Sequence, residues 1–389
     1  MERDEAIKLI QQLLIAMKAR GASDLFVTAG FPPAIKLDGQ LTPVGDKPLS
    51  AQNAALLMRA LMSDRQVKEF ESTNECNFAI NPPGIGRFRV SAFVQMGSVG
   101  GVLRTITTEI PGFEQIGLPA SLKDVVMAKR GLILMVGATG SGKSTSLAAM
   151  LGHRNAHSRG HIITIEDPVE YVHPHMGCMI TQREVGSDTL SWEAALKNTL
   201  RQAPDVIQIG EIRTRETMEY AINFAETGHL VLSTLHANSA NQALDRIINF
   251  FGEEKREQVL MDLSLNLRAI ISQRLIRRET GGGRVPAVEI MLNSPLIADL
   301  IFKGEVAGIK EVMGRSGEQG MVTFDQYLFG LFEQGLISYD EAIRNADSQN
   351  ELRLKVKLES RRMRENLLDD PTVKAMRMKE EDAGQLVRR

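Results

Sequence analysis

The segment LILMVGATGSGKSTSLAAML, Leu132 to Leu151, constrains this chain more than any other stretch. An apolar run ends at Gly137, and Gly142-Lys143-Ser144 then opens a helix-forming stretch, the G-x-x-x-x-G-K-[ST] pattern in the strand-to-helix setting it needs. Glycines let backbone N–H groups close on phosphate oxygens, and the following helix aims its positive end at them. Gly137, Ala138, Thr139, Gly140, Ser141, Gly142, Lys143, Ser144 and Thr145 are therefore the expected cradle of a nucleoside triphosphate. Lys143 is placed to reach the β- and γ-phosphates, and the Ser144 hydroxyl to coordinate Mg²⁺.

A buried parallel sheet surrounds this loop. LILMV, HIITI, DVIQI and HLVLSTL are short, nearly continuous apolar runs separated by segments long enough for helices. In such α/β sheets ligands gather beyond the carboxyl ends of the strands. That rule selects Glu166, Asp167 and Glu170 after HIITI, Glu211 after DVIQI, and His236 after HLVLSTL. Hydrolysis of a triphosphate needs an oriented water and a carboxylate in the Mg²⁺ shell, and Glu170 and Glu211 are the best placed for these tasks. Glu166 and Asp167 divide between such a role and a turn or cap beside Pro168. His236 is a candidate hydrogen-bond donor to the γ-phosphate, whereas His229, at the amino end of its strand, falls on the far side. His153, His157 and His161 have the spacing of a metal face, but Gly152 and Gly160 are expected to break the helix that would present it.

Ahead of the loop lies a smaller α+β unit, residues 1–108. Ile7, Ile10, Leu14 and Met17 mark an amphipathic helix over 4–19; ASDLFVTAG reads as a strand, AIKL and QLTPV flank Asp38-Gly39 as a hairpin, and residues 51–71 read as helical. GRFRVSAFVQ alternates, with Phe88, Val90, Ala92 and Val94 on one face and Arg87, Arg89 and Ser91 on the other; after GSVGG the chain resumes as VLRTI. The Pro- and Gly-rich 109–119 reads as a linker, 120–350 as the phosphate-loop domain, and 351–389 as a charged helix and loose tail. From Ala243 onward the pattern reads as mostly helical, with Val259, Leu263, Leu267, Ile270 and Ile271 sharing one stripe and Gly281 to Gly283 forming a loop before later helices.

Composition narrows the function classes. A 389-residue chain with 43% hydrophobic residues can bury a large core in two or three domains. A net charge of -2 and 5% aromatic residues speak against a nucleic-acid translocase. Two separated cysteines, Cys76 and Cys178, support neither a disulfide framework nor a zinc site. The charged start MERDEAIKLIQQLL lacks a signal-peptide layout and no apolar run is long enough to span a bilayer, so a cytoplasmic setting is expected.

GATGSGKST, TIEDPVEYVH, APDVIQIGEIR and ETGHLVLSTLHANSA, in that order and spacing, resemble the Walker A, Asp, Walker B and His boxes of the secretion ATPases of type II secretion and type IV pili. The opening ASDLFVTAGFPPAIKLDG and AIRNA, Ala342 to Ala346, are similar to the pilus retraction ATPases among them, and the resemblance runs to about residue 350. It implies a PAS-like N-terminal domain ahead of a RecA-like domain, a homo-hexamer using ATP and Mg²⁺, and a cytoplasmic location at the inner-membrane pilus machine. The implied partners are a paralogous retraction ATPase and a platform protein of the inner membrane, with no nucleic acid. Glu170 then matches a general base and Glu211 the Walker B glutamate, while Arg87, Arg89 and Arg104 match N-domain arginines that neutralise phosphate charge.

Three positions draw notice. Gly210 stands before Glu211 where many ATPases carry aspartate, as it does in this family too, which points to Mg²⁺ held through water. Arg201-Gln202-Ala203-Pro204-Asp205 replaces the usual R-E-D-P-D of retraction ATPases, and Thr214 stands where an aspartate often follows G-E-x-R. The resemblance implies a motor of pilus retraction, with an accessory to a paralogous motor and a RecA-like translocase as the alternatives. The tail beyond Arg353 is the expected seat of paralogue-specific binding, and its removal from residue 354 is expected to spare ring and turnover.

Overall fold

The computed structural model describes residues 2–37, 39–106 and 109–363. Among them thirteen strands follow one another: β1 Asp24–Val27, β2 Ala34–Leu37, β3 Gln40–Pro43, β4 Glu75–Ile80, β5 Arg87–Gln95, β6 Ser98–Ile106, β7 Gly131–Val136, β8 Gly160–Glu166, β9 Cys178–Glu184, β10 Val206–Ile209, β11 Leu230–Leu235, β12 Leu267–Arg277 and β13 Arg284–Leu292. The chain divides into two compact units, Met1–Pro111 with Asn155–Gly210, and Gly112–Arg154 with Glu211–Arg389.

In the first unit a six-stranded antiparallel sheet has the order β3-β2-β1-β6-β5-β4. The helix Arg3–Ala19 buries Ile10, Leu14 and Met17 in a core shared with Leu25, Phe88, Val90 and Leu103. The expected hairpin is present, with Leu37 opposite Gln40 and Gly39 at φ +84°; Asp38 lies outside the described residues. Residues 51–71 form two helices rather than one, because Ser63 caps Asp64–Thr73 in a reciprocal pair with Gln66. Val94 is exposed, since it nears the hairpin tip where the sheet outruns its core. That tip is Met96-Gly97, both at positive φ, and β6 begins at Ser98, so Gly100 and Gly101 are strand residues instead of a loop. A Cβ on Gly101 would strike Met58 on the helix Ala51–Ala60, so glycine there lets the helix lie close to the sheet.

The first unit also carries the parallel run β10-β8-β9. Strand β9 is polar at its second half, CMITQRE, and its composition hid it from the apolar-run search. In the second unit the run is β13-β12-β7-β11, with β11 and β12 parallel to β7 and β13 antiparallel to β12. Every residue of β7 and β11 is buried, as expected for central parallel strands.

The expected helical stripe from Val259 to Ile271 is corrected here. Val259 and Leu263 belong to the helix Arg256–Asn266, but Leu267, Ile270 and Ile271 begin β12, and Gly281 to Gly283 turn it into β13. β-Branched residues on both sides of the glycines favoured the hairpin over the helix. The expected break at Gly152 is also absent: the helix Lys143–His157 runs through it. At the C-terminal end the charged helix Gln349–Glu359 packs Leu352 and Val356 against Phe324, Leu328 and Phe332. Arg362 donates to the carbonyls of Phe332 and Ile337. A cut at residue 354 would therefore open a core, contrary to the expectation that it would be tolerated; residues 364–389 of the expected tail lie outside the described residues.

Candidate functional site

In the second unit the phosphate loop joins β7 to the helix Lys143–His157. Gly137, Gly140 and Gly142 have φ of +155°, +77° and +85°, so the first adopts an extended backbone at the edge of the positive range and the others are left-handed. A Cβ on Gly142 would lie 2.8 Å from the Gln273 amide nitrogen, so that side chain would have to shift. Lys143 is buried, and its Nζ donates to the carbonyls of Gly137 (2.9 Å) and Ala138 (3.0 Å). These bonds fold the ammonium back across the loop. Ser144 and Thr145 fall in the first turn of the helix, the end at which a helix favours an anion.

Glu211 and His236 meet in the same unit. Glu211 Oε1 lies 2.9 Å from His236 Nε2, and Glu211 Oε2 lies 2.7 Å from Arg213 Nη2. The carbonyl of His236 accepts from Arg246 Nη1 at 2.9 Å. A half-buried carboxylate held by two cationic-type donors keeps its orientation without reaching far. His229 stays at the opposite end of β11, with Nδ1 3.2 Å from Thr227 Oγ1 and from the Phe224 carbonyl.

Gln273, on β12, was missed from sequence because that strand was. Its side chain is buried, and it joins the loop at two points: Nε2 donates to Ser141 O (2.7 Å), and Oε1 accepts from Ser146 Oγ (2.7 Å). The next residue, Arg274, donates to Asn345 O (2.7 Å) and Asp347 Oδ1 (2.8 Å) and stacks over Phe324 with 4.0 Å to the ring centre. AIRNA occupies the helix Tyr339–Asn345 with Ala342 and Ile343 buried, so Arg274 fixes the C-terminal end of that motif. The sequence signal available was two β-branched runs flanking ETGGG.

The first unit carries the remaining acids. Glu166, the last residue of β8, is buried; it accepts from Thr164 Oγ1 (2.6 Å), Gln182 Nε2 (3.4 Å) and the Glu170 N–H (3.4 Å). Burial pushes its carboxyl up to about 7, against the pull of those three donors. Glu170 itself is exposed, four residues on. Between them the Val169 N–H donates to Glu184 Oε2 at 3.1 Å. A Cβ on Gly210 would lie 3.2 Å from the Ile165 carbonyl and 3.3 Å from the Glu166 Cα, so the close approach of β10 to the end of β8 accounts for glycine there.

The three arginines differ. Arg87 is paired with the buried Glu184 at 2.7 Å, so the same carboxylate grips both β5 and the Val169 peptide. Arg89 is exposed and sits opposite Arg104 in the β5–β6 register. Arg104 pairs with the buried Asp24 at 2.7 Å. Of the substituted positions, Thr214 caps the helix Arg215–Glu226 by accepting from the Thr217 N–H, a task aspartate also performs. Asp205 accepts from the His161 N–H, and Gln202 presents its carbonyl to His161 Nδ1. His161 is thereby engaged in β8, and in the second unit His153 packs edge-on against Phe113.

A strand-loop-helix phosphate cradle with a glutamate and a histidine fixed together at neighbouring strand ends defines a phosphate-loop NTPase. The chain belongs to the type II/IV secretion system protein family, whose model matches residues 2–317. It is 58% identical over 350 residues to the type IV pilus ATPase PilU of Pseudomonas aeruginosa, spanning 90% of this chain and 92% of that protein. To the type IV pilus retraction ATPase PilT of the same organism it is 44% identical over 337 residues, 87% of this chain and 98% of that one. A crystal structure of the pilus retraction motor PilT with bound ADP matches with a TM-score of 0.83 at 40% identity, over 89% of this chain and 99% of that chain. This chain is an ATPase of the type IV pilus branch of the family, with a small N-terminal domain ahead of a RecA-like ATPase domain and a mixed, mostly parallel sheet. Among the described residues, no helix is long and apolar enough to cross a membrane.

Proposed function

We propose that this ATPase is a motor of type IV pilus retraction and twitching, working as a homo-hexamer beside a paralogous retraction ATPase, on the cytoplasmic face of the inner membrane at the pilus platform protein. The observation that carries the reading is the phosphate loop, with its glycine geometry, buried Lys143 and adjoining Gln273, in a chain that matches the ADP-bound retraction motor over nearly its full length. Residues 1–108 form the PAS-like domain of this reading, 109–119 the linker and 120–350 the ATPase domain.

The loop fits a nucleotide with Mg²⁺. Its glycines and helix start suit phosphate oxygens, and Ser144 with Glu211 offers the hard oxygen donors that Mg²⁺ prefers. Bound there, Mg²⁺ would supply neutralisation of phosphate charge. Because both Glu211 oxygens already hold donors, the carboxylate would hold the metal through water. Lys143 leaves the carbonyls of Gly137 and Ala138 to meet phosphate. Glu170 is the general base that orients the attacking water, and Glu166 holds the peptide N–H of that residue. His236 donates toward the γ-phosphate once its Nε2 exchanges Glu211 for the nucleotide. Arg87, Arg89 and Arg104 neutralise phosphate charge, and for Arg87 and Arg104 that role requires them to exchange Glu184 and Asp24 for the nucleotide.

The test is retraction in cells that hold this protein as their one candidate motor. Retraction that disappears with Lys143→Ala supports the motor; no retraction until a paralogous ATPase is supplied favours the accessory reading. That second reading draws on the higher identity to PilU than to PilT.

A further inference from the structure

The peptide between Ser141 and Gly142 has its carbonyl held by a buried side chain. In a trans peptide the carbonyl and the following N–H point in opposite directions. Gln273 Nε2 donates to the Ser141 carbonyl at 2.7 Å and so draws that oxygen toward β12. The Gly142 N–H is thereby turned the other way, into the loop. The amide's orientation is fixed by chemistry: the Ser141 carbonyl only accepts, so nitrogen must face it, and Oε1 is left to accept from Ser146 Oγ at 2.7 Å. Ser146 is in the first turn of the helix that follows, and its own N–H donates to Gly142 O at 3.0 Å. One buried side chain therefore spans the loop and the helix start.

Space around it is complementary. A Cβ on Gly142 would lie 2.8 Å from Gln273 Nε2, and one on Gly137 would lie 2.5 Å from the Gln273 carbonyl. Two glycines of the loop are thus glycines partly because Gln273 occupies the adjoining volume. Its backbone position is set by β12, which pairs with β7 through Ser272 opposite Val136, the residue just before Gly137.

We propose that Gln273 is a positioning residue for nucleotide binding: it aims the Gly142 N–H at the phosphates and holds the helix start in register with the loop. The proposal rests on the phosphate loop being the ATP site. It assigns Gln273 no contact with nucleotide, only with the atoms that make contact.

The experiment titrates the purified full chain with MgADP by calorimetry, for wild type, Q273L and Q273E. Q273L removes both hydrogen bonds at similar volume. Its circular dichroism and elution volume should match wild type while its dissociation constant for MgADP rises about tenfold, the order expected from losing a hydrogen-bonded orientation. Under turnover, KM for ATP should rise by a similar factor with a smaller change in kcat. Q273E keeps the size and the acceptor for Ser146, but an ionised carboxylate repels the Ser141 carbonyl. Its affinity for MgADP should fall below that of wild type at pH 8. A folded Q273L that binds MgADP within twofold of wild type overturns the proposal. Should Q273L not fold, Q273E decides: affinity equal to wild type at pH 8 overturns it. Failure of wild type itself to bind MgADP instead overturns the ATP-site reading, and this proposal with it.

Discussion

Glu211 and His236, both in the second unit, are joined by a 2.9 Å contact between Oε1 and Nε2. The carboxylate's other oxygen is held by Arg213 at 2.7 Å, so neither side chain is free to turn without releasing the other. His236→Ala is expected to lower kcat about a hundredfold with a small change in KM, the pattern of an interaction made chiefly in the transition state. Steady-state ATP turnover against substrate concentration checks it, and a loss confined to KM would show that the histidine only supports binding.

Lys143→Ala should remove MgADP binding altogether in calorimetry, because its Nζ is the buried ammonium of the loop. Gly142→Ala should weaken binding as well, through a different route. Its φ of +85° strains an alanine, and the new methyl meets Gln273 Nε2 at 2.8 Å. A double variant with a smaller residue at 273 that loses less affinity than the two single losses combined would confirm the steric part.

Glu166 gives a pH dependence with a definite sign. Its carboxyl is raised from 4.5 to about 7 by burial, so the folded chain holds the proton more tightly than the unfolded chain. Stability contributed by the protonated form is complete below about 4.5 and is lost as pH rises through about 7, after which the loss levels off. Glu166→Gln has no such loss. Relative to wild type its stability should rise between pH 5 and pH 8 by up to roughly 3 kcal/mol. Urea midpoints across that range measure it, and a difference independent of pH would contradict the assignment.

Arg274 ties β12 to the AIRNA helix. Arg274→Met leaves Asp347 to Lys310 and removes the donor from the Asn345 carbonyl, at an expected cost of about 2 kcal/mol. Burial works to raise the Asp347 carboxyl, but the Lys310 hydrogen bond and the Arg274 charge together hold it below its ordinary value. That stabilisation is present above the ordinary value and is lost as pH falls through the depressed one, so the deficit of the variant should shrink in strong acid. Thermal unfolding of the two proteins at several pH values reads this directly.

The sequence made the phosphate loop legible because strand, glycines and helix start lie in consecutive residues. Glu211 and His236 were found by a rule about strand ends, and the structure brings them into contact. Gln273 was hidden because its partners lie 127 and 132 positions away and its strand was read as helix. The same misreading concealed β13, although Pro286 inside VPAVEIML argues against a helix there. Glu184 was missed for a related reason: it ends a half-polar strand, and nothing local marks it as the residue that grips both Arg87 and the Val169 N–H. Threonine at 214 looked like the loss of an aspartate, yet it caps a helix, and glycine at 210, where many ATPases carry aspartate, admits a close strand approach.

The central claim is that this chain hydrolyses ATP at its phosphate loop with Glu170 as base. Single-turnover hydrolysis of radiolabelled ATP by purified wild type and Glu170→Gln, at matched nucleotide occupancy, tests it most directly. The account predicts equal binding, with hydrolysis in the variant reduced by a factor on the order of a hundred or more. Equal hydrolysis rates in the two proteins would contradict it.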